Sequence, residues 1–189
     1  MNRIFLRYLA AGMSLAMAPA IAEEPTVPVG LQVELLARIS TYDRNFASRA
    51  GDKAHVLVVV KPGDIDSTSV SREAMRAFQA MPSIAGIPSD VASIDYASAG
   101  ALVEEVKKRK IAIVYFAPGF TSEAGKISAA FSGVDVLTVA SLPADVERGI
   151  VLGFDLASGR PKLLVHLAQA RKQNAAFKAE ALKLMKVYE

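Results

Sequence analysis

Few residues in this chain are of types that could do chemistry, and the first to weigh lie in Gly119-Phe-Thr-Ser-Glu-Ala-Gly125-Lys126. The segment follows an apolar run and has the outline of a phosphate-binding loop, but its spacing is wrong. A Walker loop sets four residues between its glycines so that successive N–H groups converge on phosphate, and it follows the lysine with Ser or Thr to hold magnesium. Here five residues intervene and Ile127 follows the lysine. Triphosphate chemistry is therefore refused for this segment. The two histidines come next, because imidazole is the usual general base and metal ligand near neutral pH. His55 opens an apolar run with no second ligand at i+2 or i+4, and His166 sits among Leu163, Val165 and Leu167. Both read as structural or surface residues.

No G-x-S-x-G elbow, S-x-x-K or H-E-x-x-H occurs. The chain has no cysteine, which rules out disulfides, thiol nucleophiles, CxxC redox sites and thiolate zinc sites. No catalytic residue, metal site or cofactor is expected. What remains is positional. In an open α/β sheet, ligands or partners meet the loops beyond the carboxyl ends of the parallel strands. Those loops are Lys61-Pro62-Gly63-Asp64, Ala117-Pro118-Gly119-Phe120-Thr121 and Ala140 to Leu142. Pro-Gly gives a stiff, open backbone that suits close approach, although it is also ordinary turn punctuation. The candidate binding residues are accordingly Lys61, Pro62, Gly63, Asp64, Pro118, Gly119 and Thr121. Asp43, Arg44 and Asn45, toward the end of the first helix, are expected to rim the same region, with Tyr42 packed on the core.

The elements that must position these loops follow from hydrophobic period. Leu31, Leu35, Ile39, Tyr42 and Phe46 keep a helical rhythm, so residues 30–49 are expected to form one helix ending at Gly51. His55 to Val60 is a β-branched run, apolar on both faces, as a covered central strand requires. Asp66 to Ser69 supplies cap residues for a helix carrying Val70, Ala74, Phe78 and Met81, which Pro82 ends. Val91 to Asp95 reads as a weaker, edge-side strand, followed by a helix over 98–110. The basic run Lys107 to Lys110 complements the dipole at that helix end and faces water. Ile111 to Phe116 and Val134 to Val139 are further central strands, with a helix to Phe131 between them. Ile150 to Leu156 and Lys162 to Leu167 are spaced as a hairpin. Phe177, Ala181, Leu184, Met185 and Tyr188 then form one helical stripe. The expected fold is an α/β three-layer sandwich: a mixed, mostly parallel sheet flanked by helices, with a C-terminal β-hairpin and a closing helix.

The first 22 residues have another reading. Arg3 and Arg7 form a basic n-region, Tyr8 to Ala18 an apolar core, and Ala20-Ile21-Ala22 a small-x-small cleavage site, together a secretory signal peptide. The apolar core is about half the ~20 residues that span a bilayer. Cleavage after Ala22 removes two of 22 basic residues and no acidic one, lowering the formal net charge from +3 to +1. So neutral a chain has no nucleic-acid footprint. An exported, periplasmic protein is expected, with residues 23–29 as a loose leader, residues 30–189 as one domain and no insertion of the mature chain into a membrane.

The order of segments resembles the YfiR family of exported regulators. The likeness rests on LQVELLARISTYDRNF, HVLVVVKPGD, IAIVYFAPG with VDVLTVAS after it, and the ending RGIVLGFDLASGRPKLLVHLAQARKQNAAFKAEALKLMKVYE. It covers roughly residues 30 to 189. The resemblance implies a periplasmic, non-enzymatic regulator, often a homodimer. Its partner would be a membrane-anchored sensor protein, a diguanylate cyclase of the inner membrane that it keeps inactive, and its output cyclic di-GMP and biofilm formation. Well-known members carry cysteine pairs that this chain lacks, and Val165-His166-Leu167 stands where relatives often have Asn before the Leu. The alternative reading is a small-ligand-binding module like one lobe of a periplasmic solute receptor. A hydrolase built on His166 is the enzyme alternative.

Overall fold

The computed structural model describes residues 26–189. The expected signal peptide, its cleavage site and the first residues of the leader lie outside the described residues. In chain order the elements are α1 (Val29–Ser40), α2 (Phe46–Ala50), β1 (Ala54–Val60), α3 (Ile65–Gln79), β2 (Ser83–Ile84) and β3 (Ile87–Asp95). There follow α4 (Ala99–Arg109), β4 (Ile113–Phe116), α5 (Ala124–Ala130), β5 (Leu137–Ala140) and α6 (Pro143–Glu147). The chain ends with β6 (Leu152–Ala157), β7 (Arg160–His166), α7 (Leu167–Lys172), α8 (Ala179–Leu182) and β8 (Lys186–Tyr188).

One sheet runs β2-β3-β1-β4-β5-β6-β7-β8. Strands β3, β1, β4, β5 and β6 are mutually parallel, whereas β7 is antiparallel to β6, and β2 to β3. The period of two along a strand divides the core into two layers. Val56, Val58, Ile113 and Tyr115 pack with α1 and α3 on one face. Leu57, Val59, Val114 and Phe116 pack with α4 and α5 on the other. The expected mixed, mostly parallel α/β sheet between helical layers is thus the observed one. The hairpin between β6 and β7 turns on Ser158 and Gly159, whose φ values of 51° and 73° are both left-handed, the backbone of a two-residue turn that matches strand twist.

Two helices differ from expectation. The single helix over 30–49 is broken: α1 stops at Ser40, a turn follows, and α2 is a separate short helix. Side chains compete for the backbone there, since Ser40 Oγ donates to the Leu36 carbonyl at 2.8 Å and Thr41 Oγ1 to that of Arg38 at 2.7 Å. The closing helix is also corrected. After α7, Asn174 takes a left-handed φ of 56°. The chain then runs extended along the α1–α2 turn, where the Arg44 N–H donates to the Ala176 carbonyl at 3.0 Å and the Lys178 N–H to that of Tyr42 at 2.9 Å. One turn of α8 leads into β8, parallel to β7. Phe177, Ala181 and Met185 are buried as the helical stripe required, but Leu184 is 70% exposed. Val27, expected in a loose leader, is buried, and its carbonyl accepts from Gln32 Nε2 at 2.8 Å.

Candidate functional site

The parallel strands reverse their order of addition at β1: β3 lies on one side of it, and β4, β5 and β6 lie on the other. The carboxyl ends of β1 and β4 therefore border the crevice where ligands meet such sheets. Lys61 to Asp64 leaves β1 at that point and Ala117 to Thr121 leaves β4. The first loop is fixed by the helix it enters. Asp64 accepts from the Ser67 N–H at 2.8 Å, capping α3, and the Lys61 N–H donates to Ser67 Oγ at 2.8 Å. Gly119 has φ +98°, and a Cβ on it would stand 2.7 Å from Asp64 Oδ2 and 3.2 Å from Lys61 Cβ. Glycine is required there on both counts, and the two Pro-Gly loops touch.

Above this contact the Lys61 ammonium pairs with the Glu123 carboxylate. It also lies 5.5 Å from the centre of the Tyr96 ring and 5.6 Å from that of Phe120, within cation–π reach. The two rings meet edge to face at 5.1 Å. The hydrogen bond from Lys61 holds the Glu123 carboxyl below the usual carboxylate range. Burial, reinforced by the neighbouring Glu123 carboxylate, pushes the Tyr96 hydroxyl up to about 12. Loops from three parallel strands, β1, β3 and β4, are joined by this cluster. Thr121 reaches α6, the helix that follows β5, donating to Asp145 Oδ1 at 2.6 Å. Asp145 is buried and its Oδ2 has no partner among the described residues; desolvation pushes its carboxyl up.

On the α1 and α3 side of the same edge is a cleft of about 240 Å³, lined by Thr26, Val29, Gln32, Asp66, Ser69, Val70, Pro118, Ser141 and Leu142. A second groove, of about 400 Å³, runs from Gly63 to Arg72 along α3 and includes Ile65, which is 84% exposed.

Seven of the expected site residues, Lys61, Pro62, Gly63, Asp64, Pro118, Gly119 and Thr121, thus share one edge. Asp43, Arg44 and Asn45 do not rim it. They follow the C-terminal end of α1, while the N-terminal residues of α1 line the cleft at the site. Asp43 instead accepts from the Ala176 N–H at 2.8 Å and pairs with Arg49, which also reaches Asp135 just before β5. The carboxylate organises the opposite edge of the sheet. Both histidines are locally engaged. His55 Nδ1 is 2.7 Å from Asp90 Oδ1. His166 caps α7, its Nδ1 accepting from the Gln169 N–H at 3.3 Å, and burial lowers its pKa.

The sequence places Phe120 and Ser141 in the expected loops without marking a role for them, and it does not mark Tyr96, Glu123 or Asp145. Glu123 stood inside the refused phosphate loop, and Tyr96 directly follows a strand that adds beside β1. Either position was a signal to look for a partner for Lys61. Asp145 carries no local signal, since its role depends on which loop packs beside it.

Fold and edge together define an open, doubly wound α/β domain with its candidate site at the topological switch point. Three solved structures share this fold. They are the ABC domain in complex with L-tryptophan from Streptococcus pneumoniae (12% identity, TM-score 0.60), the ligand-free, open form of a substrate-binding protein with adhesive properties from Clostridium difficile (11%, 0.61), and a conserved domain protein from Vibrio cholerae O1 biovar El Tor (13%, 0.61). Each alignment covers 86% of this chain and only 60–62% of the other. The likeness is one of fold. No curated protein matches the chain. Residues 31–186 match the model of the YfiR/HmsC-like family, and the chain belongs to that family, one of periplasmic regulators.

Proposed function

We propose that this chain is an exported, non-enzymatic regulator that binds the periplasmic sensor region of an inner-membrane diguanylate cyclase and holds it inactive. The observation that carries this reading is the family match over residues 31–186. The edge described above supports it. Its loops are locked to one another by the Lys61–Glu123 pair and the Gly119 contact, so the surface is ordered before a partner arrives and less entropy is lost on docking. Ile65, 84% exposed beside those loops, offers an apolar anchor of the kind that fills a partner's pocket.

Affinity capture of the tagged protein from solubilised envelope tests the reading. A membrane-anchored cyclase is expected to co-purify, and deletion of the protein to raise cyclic di-GMP. Ile65→Asp is expected to lose the partner while keeping its thermal stability. Capture of no such protein, with unchanged cyclic di-GMP on deletion, would sink the proposal.

A second reading, a small-ligand-binding module, is favoured by the cleft of about 240 Å³ at the switch point. Two of the solved structures of like fold are named for an L-tryptophan complex and for substrate binding. A ligand for the native state raises thermal stability with concentration, and a pure partner-binder has no such shift. Both readings hold together if a ligand governs release from the partner.

A further inference from the structure

The cleft between α1, α3 and the loop after β5 has a chemistry more specific than its size. Ser141, 3% exposed, is among its lining residues, and its Oγ is buried with no hydrogen-bond partner among the described residues. A buried hydroxyl left without an acceptor is costly. The Gln32 amide beside it is already committed. Gln32 spends its Nε2 on the carbonyls of Val27 at 2.8 Å and Ser141 at 3.4 Å, and its Oε1 accepts from the Tyr115 hydroxyl at 2.7 Å. The amide is therefore held at both ends and cannot turn to receive the serine proton.

The first turn of α1 meets the same cleft through Val29. This 12-residue helix begins after Pro28 with no side-chain cap and no acidic residue in its first turn. Its first bonded N–H is that of Gln32, to the Pro28 carbonyl at 3.0 Å; the N–H groups of Val29, Gly30 and Leu31 have no acceptor within the helix. Helix dipole, first-turn N–H groups and one stranded hydroxyl all call for an acceptor that carries negative charge. The remaining walls narrow the class. Val29, Val70, Pro118 and Leu142 are apolar, and the Asp66 carboxylate stands on the rim. Apolar walls disfavour inorganic phosphate or sulfate, and the Asp66 carboxylate opposes any anion, but a dianion about twice as strongly as a monoanion.

We propose that this cleft binds a small organic monocarboxylate, its carboxylate against the first turn of α1 and the Ser141 hydroxyl and its short aliphatic tail among Val29, Val70, Pro118 and Leu142. The proposal rests on the small-ligand reading and names the class of ligand for it.

Butyrate, its neutral isostere butyramide and n-butylammonium, at constant ionic strength, separate the possibilities by thermal shift and by ¹⁵N amide spectra of the purified protein. Butyrate is expected to raise Tm saturably and to move the amide signals of Gly30 and Leu31, with butyramide and butylammonium inert. Ser141→Ala strands no partner, so it folds, and it is expected to bind butyrate about tenfold more weakly. Butyrate binding that is equal in Ser141→Ala and the parent overturns the assignment. A shift with butyramide or butylammonium but not with butyrate overturns the class of ligand and leaves the small-ligand reading standing. No shift with any of the three overturns the inference, and the small-ligand reading falls with it only if the small-molecule fraction of an envelope extract also leaves Tm unmoved.

Discussion

Arg49 and Asp43 form a buried ion pair, Nη1 to Oδ2 2.7 Å, with side chains 1% and 0% exposed. Around it the α1–α2 turn and α2 are tied to the segment after α7 and to the approach to β5. Arg49 Nε donates to Asp135 Oδ1 at 2.8 Å and Nη2 to the Asn174 carbonyl at 2.9 Å, while Asp43 Oδ1 accepts from the N–H groups of Asn45 and Ala176. A guanidinium suits this place because its donors fan out in one plane toward several acceptors.

Removing one partner of such a pair leaves the other charged and dry. Arg49→Met is therefore expected to cost about 3–5 kcal/mol in urea unfolding. Asp43→Asn in the Arg49→Met background is expected to recover part of that loss, because the stranded charge is gone while an acceptor for the Ala176 N–H remains. Additive costs in the double-mutant cycle would show that the two groups do not act as a pair.

The contact at Gly119 gives a second test. Alanine there must hold φ near +98° and place its Cβ 2.7 Å from Asp64 Oδ2, so the Pro-Gly loops must separate. Gly119→Ala is expected to lose about 1–3 kcal/mol and to broaden the amide signals of Gly63 and Asp64. Gly125→Ala, with nothing within 4 Å of the added carbon, is the matched control and is expected to be neutral or stabilising. Equal effects at the two glycines would remove the argument that the loops are locked together.

How much of this was readable beforehand depended on the range of the forces involved. Val56 to Val59 announced a doubly covered strand because burial on both faces leaves no polar position to alternate with, and the two Pro-Gly loops were placed by the rule for switch points alone. The break after Ser40 was only half readable: Ser40 and Thr41, which bond back to the carbonyls of Leu36 and Arg38, are local signals, whereas the contact of Asp43 with Ala176, 133 residues away, leaves none. Phe177, Ala181 and Met185 misled for a related reason. Their spacing of four satisfies burial equally well as a bridge to Asp43, one helical turn and the approach to β8, and the left-handed Asn174 that separates these from α7 has no helical period to betray it. Arg49 and Asp43, six apart, share no helix face, so nothing local marks them as partners.

The Lys61, Glu123 and Tyr96 cluster predicts a pH profile at both ends. Glu123 is held below its ordinary value of 4.5, so its contribution is present above that pH and is lost as pH falls through the lower folded value. Tyr96 is raised from 10.0 to about 12; its contribution is complete below pH 10 and is lost as pH rises toward 12. Lys61→Met is expected to cost under about 1 kcal/mol at pH 7, since the pair is partly solvated, and to remove the acid-side slope that belongs to Glu123. Tyr96→Phe is expected to flatten the alkaline side only. Tyrosinate absorbance near 295 nm follows the ionisation directly: an extra group titrating near pH 10 in the parent, absent from Tyr96→Phe, would contradict the cluster.

Asp145 carries the opposite sign. Burial raises its carboxyl above the ordinary value of 3.8, against the opposing pull of the Thr121 hydrogen bond and the Arg148 charge. A raised folded pKa means that the native state holds the proton more tightly than the unfolded chain. The resulting stability is complete below pH 3.8 and is lost as pH rises through the folded value. Once ionised, the carboxylate is a desolvated charge with one oxygen unpartnered among the described residues, and the protein bears its cost. Asp145→Asn keeps an acceptor for the Thr121 hydroxyl and removes the charge. It is expected to stabilise by about 1 kcal/mol where the parent is ionised and to lose that advantage progressively as falling pH protonates the parent. Asp145→Ala, which deserts Thr121 as well, is expected to gain less. Urea unfolding at pH 4, 5.5 and 7 distinguishes these outcomes: an Asp145→Asn variant less stable than the parent at pH 7 would mean that the carboxylate is satisfied in the fold, and that the link from Thr121 to α6 depends on its charge.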